Sequence, residues 1–283
     1  MDKNQQLYLE AKKFIPGGVM LFSKRPENHL PGKWPTYFKK AKGIYVWDLN
    51  NKRYVDMYFG VGQSILGYAN KKVDNEVSNS NKNGNITSLN SFKEVELAKK
   101  LTKIHPWSGF AKFAKTGGEA NAIATRISRA ITGKEKVAIC GYHGWHDWYL
   151  AANIKSSNNL NSHLLKGLEA YGVPKRLKNS ISTFRMNNFK DFKKIENIKN
   201  LSTIVMEVQR EKEPNITFLK YVRKFCDKNN VILIFDECTS GFRETYGGIH
   251  MKYKIYPDLL VLGKALGNGY PITCVIGKKK YLK

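Results

Sequence analysis

Leu259-Leu260-Val261-Leu262-Gly263-Lys264-Ala265-Leu266-Gly267-Asn268-Gly269-Tyr270-Pro271 is an apolar run that delivers one lysine into a glycine-rich turn. Four consecutive aliphatic residues fit a strand covered on both faces, and Gly263 and Gly267 break the run around Lys264. A lysine partly desolvated at a strand end loses proton affinity and can act as an amine nucleophile. Working outward, Val231-Ile232-Leu233-Ile234-Phe235-Asp236-Glu237 is a second apolar run, ending in two carboxylates. Residues 110–114, 137–140 and 203–208 are further strand candidates. Helical patterns lie between them: Ala120, Ile123, Ala124, Ile127 and Ile131 share one face after Gly118, and 218–227 forms another. Apolar strands alternating with helices predict an α/β fold, with a parallel sheet covered on both sides.

The remainder reads differently. Residues 1–35 suggest an amphipathic start and a Pro/Gly-rich loop, and 37–58 two or three short antiparallel strands around the polar turn Asp48-Leu49-Asn50-Asn51. Past Gly67 the chain turns polar and helical, and 92–104 keeps the helical period. The Asn-, Ser- and Lys-rich stretch 151–185 reads as a long surface excursion. Two parts are expected: an N-terminal segment, 1–58, and a larger domain, 59–283.

Composition narrows the function classes. The 283 residues include 48 Lys+Arg against 23 Asp+Glu, a net charge of +25. Only nine of the basic residues are Arg and 39 are Lys, spread along the whole chain, often beside Asn. Readers of nucleic acid favour the bidentate Arg fork, so the excess reads as compositional habit, with no nucleic-acid partner expected. Apolar runs are far too short to span a bilayer, and no secretory signal opens the chain. Cys140, Cys226, Cys238 and Cys274 are widely spaced, without a disulfide framework or zinc pattern. A cytoplasmic setting is expected, without a metal and without a membrane partner.

Four constellations could carry chemistry. Lys115-Thr116-Gly117-Gly118-Glu119-Ala120-Asn121 joins a strand to a helix, where free N–H groups could seat a phosphate, or where Glu119 could simply complement the helix dipole. Gly141-Tyr142-His143-Gly144-Trp145-His146-Asp147-Trp148 follows a strand end, offering a stacking aromatic and an imidazole, local packing, or a metal site lacking a fourth ligand. Asp236 places a carboxylate at the sheet's functional edge and needs a cationic partner or a metal unless it is solvated. Lys264 supplies an amine. An anion seat, a flat aromatic, a carboxylate and an amine, each at the end of a different strand, together meet the needs of pyridoxal 5'-phosphate.

The sequence resembles the class III aminotransferases of fold type I, particularly their glutamate-1-semialdehyde 2,1-aminomutase-like branch. The resemblance lies in Thr116-Gly117-Gly118-Glu119-Ala120, Gly141-Tyr142-His143-Gly144, Phe235-Asp236-Glu237 with Ser240-Gly241-Phe242-Arg243, and Leu262-Gly263-Lys264-Ala265-Leu266-Gly267. It implies a mostly parallel, seven-stranded-type sheet between helices, preceded by a helix and short antiparallel strands. It also implies pyridoxal phosphate as cofactor, with Lys264 as its Schiff-base lysine and proton carrier and Asp236 as the partner of its ring nitrogen. Tyr142 would stack on the ring with His143 beside it, the N–H groups of Gly117 and Gly118 would hold the phosphate, and Glu207 and Asn187 would line the site. The chain departs from the family at Gly118, where many members carry a hydroxyl, and at Glu207-Val208, where Glu-Pro is usual. Members also continue past the lysine into a C-terminal small domain, so this chain is expected to be C-terminally truncated. The implied activity is amino transfer between a small-molecule donor and a carbonyl acceptor, in a homodimer when full length. The alternatives are intramolecular transfer of the aminomutase type, or an inactive fragment acting as a basic binding module.

Overall fold

The structure, a computed structural model, describes residues 2–163 and 166–281. It divides into two compact units, Met1–Thr87 and Ser88–Lys283. In the first, α1 (Lys3–Ala11) begins at Asp2, whose side chain accepts the Asn4 N–H. Strands β1 (Phe38–Lys42), β2 (Tyr45–Asp48) and β3 (Arg53–Val55) form an antiparallel sheet, followed by the single turn α2 (Phe59–Gly62) and by α3 (Lys71–Lys82). Asp48 shapes the expected turn by accepting the N–H groups of Asn50 and Lys52, both at 2.9 Å. The division falls at 87/88, later than the 58/59 boundary read from sequence. Tyr68 bridges to Gly43 and gives its hydroxyl to Asp56, which ties the chain beyond residue 58 to the short strands.

The second unit contains α4 (Phe92–Ile104), β4 (Phe110–Ala114), α5 (Gly117–Thr132), β5 (Lys136–Cys140), α6 (Asp147–Leu150), β6 (Ile181–Thr183) and α7 (Phe189–Glu196). It continues through β7 (Leu201–Met206), α8 (Ile216–Asn229), β8 (Ile232–Glu237), α9 (Ile249–Tyr253), β9 (Leu259–Leu262) and β10 (Thr273–Gly277). The seven strands of its sheet lie in the order β4-β10-β9-β8-β7-β5-β6. Only β10 runs antiparallel to its neighbours, β4 and β9; the other pairs are parallel.

Alternation along the strands sorts side chains into two cores. Ile232, Ile234 and Val261 face Ala120 and Ala124 of α5. Leu233, Phe235, Leu260 and Leu262 face Phe218, Leu219 and Val222 of α8, with Phe192 and Ile195 of α7. Strands β7, β8, β9 and β10 are buried at every position, including the polar Ser202, Thr203, Asp236, Glu237 and Thr273 among their apolar residues. Each fully buried aliphatic side chain contributes about 1.5–3 kcal/mol.

The surface reading of 151–185 holds in part: 155–158 and much of 166–179 are exposed, but the stretch also sends residues into the core. Ala151, Ala152, Leu160, Val173, Ile181 and Phe184 are buried, and 181–183 forms β6. Polar residues there turn inward to satisfy irregular backbone: Asn153 accepts the Leu160 N–H, Asn159 donates to the Ala152 carbonyl, and His163 Nδ1 accepts the Gly141 N–H at 3.0 Å. No helix among the described residues is long and apolar enough to cross a membrane. All four cysteines are free thiols.

Candidate active site

Strands β5, β7, β8 and β9 run parallel, and β4 shares their direction because β10 opposes both β4 and β9. Their carboxyl ends therefore share one edge, and the loops leaving that edge carry the candidate residues.

At the end of β4, Thr116 caps α5. Its hydroxyl accepts the Glu119 N–H at 3.2 Å, and Glu119 Oε2 accepts the N–H groups of Lys115 and Thr116, at 3.1 and 2.9 Å. Glu119 does complement the helix start, yet the box leaves the N–H groups of Gly117 and Gly118 without an internal partner among the described residues. These are the two donors an anion would meet. Gly118 is needed for packing: a Cβ there would lie 2.5 Å from the His146 ring. The imidazole thus occupies the space that a side chain at position 118 would need.

At the end of β8, strand alternation separates the two carboxylates. Asp236 follows Ile232 and Ile234 onto the α5 side. There Oδ2 accepts from His143 Nδ1 and Asn121 Nδ2, each at 2.8 Å, and Oδ1 accepts the Cys238 N–H at 3.0 Å. Burial acts to raise the Asp236 pKa, but the His143 hydrogen bond and charge, with the Cys238 N–H and Asn121, hold it below the usual carboxylate value. A carboxylate has about four acceptor directions, so Oδ1 can take one more donor. Glu237 goes to the opposite side, fully buried, and accepts from Ile249 N, His250 N and His250 Nδ1 at 2.6, 2.9 and 2.7 Å.

Lys264 lies two residues beyond Leu262, which pairs with Glu237 across the β8–β9 ladder. It adopts a left-handed φ of 42°, an uncommon conformation for a side-chain-bearing residue, and its Nζ donates to Thr239 Oγ1 at 2.7 Å. Burial lowers its pKa, against the opposing pull of Cys238 and Asp236. Cys238 joins the parts: its Sγ fills the space beside both Gly117 and Gly263, 3.1 Å from where either would carry a Cβ. Amine, carboxylate and anion donors therefore surround one small region.

On the other flank, Tyr142 follows Gly141 and gives its N–H to Glu207 Oε2 at 3.2 Å. Arg210 grips both oxygens of Glu207, its Nε donating to the same Oε2 and its Nη2 to Oε1. Gly141 has a φ of 116°, and a Cβ there would lie 2.5 Å from Glu207 Oε2. His163, Glu207 and Arg210 line a cleft of about 200 Å³. Burial takes the His163 pKa down to about 4, in keeping with an unprotonated Nδ1 that accepts the Gly141 N–H.

The structure thus brings Gly117, Asp236 and Lys264 together, with His143 behind the carboxylate and Tyr142 and Glu207 on the β5–β7 flank. Asn187 is the exception. Its amide donates to the Glu213 carbonyl at 3.3 Å and accepts the Asn215 N–H at 2.8 Å, which fastens the loop before α8. A left-handed φ of 61° suits Asn at such a turn. Asn121, Cys238, Thr239 and Arg210 were not singled out from sequence for these roles. Only Asn121 carried a signal, as part of the glycine motif. Among the described residues, no three His, Cys, Asp or Glu side chains converge as metal ligands would.

This arrangement fits a ligand with an anionic group, a ring nitrogen that bears a proton, and a carbonyl within reach of an amine. The fold matches a solved transaminase with PLP bound, with a TM-score of 0.85 over 99% of this chain and 65% of that one, at 23% identity. The model of the class-III aminotransferase family matches residues 28–283, and the chain belongs to that family. It is 35% identical to the 3-aminobutyryl-CoA aminotransferase of Cloacimonas acidaminovorans and 33% identical to the glutamate-1-semialdehyde 2,1-aminomutase of Methanobrevibacter smithii. Those alignments cover 100% and 99% of this chain, which spans 66% and 65% of the two relatives' lengths.

Proposed function

We propose that the chain binds pyridoxal 5'-phosphate and serves amino transfer between a small-molecule amino donor and a carbonyl acceptor. The observation carrying this reading is the convergence of the Lys264 amine, the Asp236 carboxylate and the free N–H groups of Gly117 and Gly118 at one edge of the sheet. Family membership and the named aminotransferase relative support it. When bound, pyridoxal phosphate supplies an electron sink for the charge left as a proton leaves the substrate carbon. The Gly117 and Gly118 N–H groups would hold its phosphate, and the Tyr142 ring would cover one face. Asp236 Oδ1 would keep a proton on the ring nitrogen. Lys264 Nζ, its proton affinity lowered by burial, would be the amine that meets the cofactor's carbonyl and the group that would move the proton at the substrate carbon.

Mixing the protein with pyridoxal phosphate and reducing with borohydride tests this directly. A covalent adduct on Lys264 is expected in the wild type and absent in Lys264→Ala. Failure of the wild type to form one would sink the reading and favour a non-catalytic basic module. The similarity to an aminomutase favours intramolecular transfer as the second reading. Turnover that requires an added amino donor would select the first.

A further inference from the structure

Asn121 lies one turn into α5, against the sheet, and is 1% exposed. Its Nδ2 donates to two oxygens from separate parts of the site: the Gly117 carbonyl at 3.0 Å and Asp236 Oδ2 at 2.8 Å. Turned over, the amide would set its own oxygen against two acceptors, so this orientation is forced. Keeping both donors inward leaves Asn121 Oδ1 buried without a hydrogen-bond partner among the described residues. The fold accepts that cost for the two donor bonds. One bond holds the first residue of the helix, whose N–H faces the anion position. The other holds the carboxylate meant for a ring nitrogen. Without Asn121, Asp236 Oδ2 would keep only His143, and the helix start and the β8 end would lose their side-chain link.

We infer that Asn121 is a positioning residue that locks the anion seat to the Asp236 carboxylate, so that the phosphate and the ring nitrogen of one ligand are gripped at a fixed separation. This rests on the pyridoxal phosphate reading above. Asn121→Ala removes both donors. Asn121→Asp keeps the volume but sets a second carboxyl against Asp236, which makes one of the two retain a proton. Ser128→Ala alters another buried polar residue of the same helix, one whose hydroxyl bonds, among the described residues, only the Ala124 carbonyl.

Each protein is titrated with pyridoxal phosphate by visible absorbance, and the bound band is then followed against pH. In both Asn121 variants Kd rises about tenfold or more, and the pH midpoint of the band moves by about half a unit or more. Ser128→Ala leaves both at wild-type values. The inference is overturned if a folded Asn121 variant binds within about twofold of wild type with an unmoved midpoint, since a tenfold change is only about 1.4 kcal/mol and easily resolved. It also fails if Ser128→Ala produces the same changes, which would mark a general effect of the helix. A wild type that does not bind pyridoxal phosphate removes the functional reading itself, so the two failures are distinguishable.

Discussion

Asp236 and Glu237 are adjacent carboxylates that strand alternation assigns to opposite faces, and exchanging each should separate stability from cofactor binding. Truncating Glu237 to Ala leaves the donors of Ile249 N, His250 N and His250 Nδ1 unpaired in a fully buried setting. Each orphaned donor costs about 1–3 kcal/mol. Relief of burying a charge offsets part of the sum, which gives a net loss of about 3–5 kcal/mol, as for other broken buried pairs. For a chain of this size that lowers Tm by roughly 10 °C. Glu237→Gln keeps the shape and acceptor oxygen, and its pyridoxal phosphate Kd should stay within about threefold of wild type, since the side chain points away from Lys264. Asp236→Asn should raise that Kd about tenfold or more, because a neutral amide no longer favours a protonated ring nitrogen. Differential scanning calorimetry and absorbance titration on the same preparations measure both quantities. A Glu237→Ala protein melting within about 2 °C of wild type would refute the assignment of faces. Equal loss of cofactor affinity in Glu237→Gln and Asp236→Asn would do the same.

Three further outcomes are expected. Asp258 is buried, accepts the Leu233 N–H at 2.9 Å and pairs with Arg223 and Lys278 at 2.8 and 2.7 Å. Burial raises its pKa, but Arg223, the Leu233 N–H and Lys278 outweigh this and hold the folded value below the unfolded one. Its stabilisation is therefore complete above the unfolded value and lost as pH falls through the folded one, so Asp258→Asn should lower Tm at neutral pH and flatten the acid limb of Tm against pH. An unchanged acid limb would contradict this. Gly141→Ala should cost at least about 1–2 kcal/mol from its positive φ alone, read by chemical denaturation, and further displace Glu207. Capture of pyridoxal phosphate by Lys264 should reach half its maximal rate below the ordinary lysine range, because burial lowers the amine's proton affinity; a midpoint at the value of a free lysine would count against the desolvated setting.

Much of the site was legible because its parts sit where strands end. Phe110–Ala114 and Leu259–Leu262 match their predicted bounds, and α4 matches 92–104, since unbroken apolar runs and helical periodicity are local signals. The strand predicted over 203–208 begins two residues earlier, at Leu201, and ends at Met206. Its last two predicted residues, Glu207 and Val208, leave the ladder, and Glu207 turns to meet Arg210 and the Tyr142 N–H. The segment 151–185 was read correctly only where it is exposed: composition hid that Asn153 and His163 turn inward to serve buried backbone that has no ladder of its own.

By itself the sequence determined the alternation of strands and helices, the glycine-rich turns, and the residue types at the strand ends, because each depends on neighbours only a few positions away. Tertiary structure decided which residues act together. The pairing of Asn121 with Asp236 spans 115 positions. Which carboxylate meets the site depends on which face of β8 α5 covers, and Cys238 and Thr239 gain their roles only because β4, β8 and β9 end at the same edge of one sheet. Hydrogen bonds act over about 3 Å in space, whatever the separation along the chain.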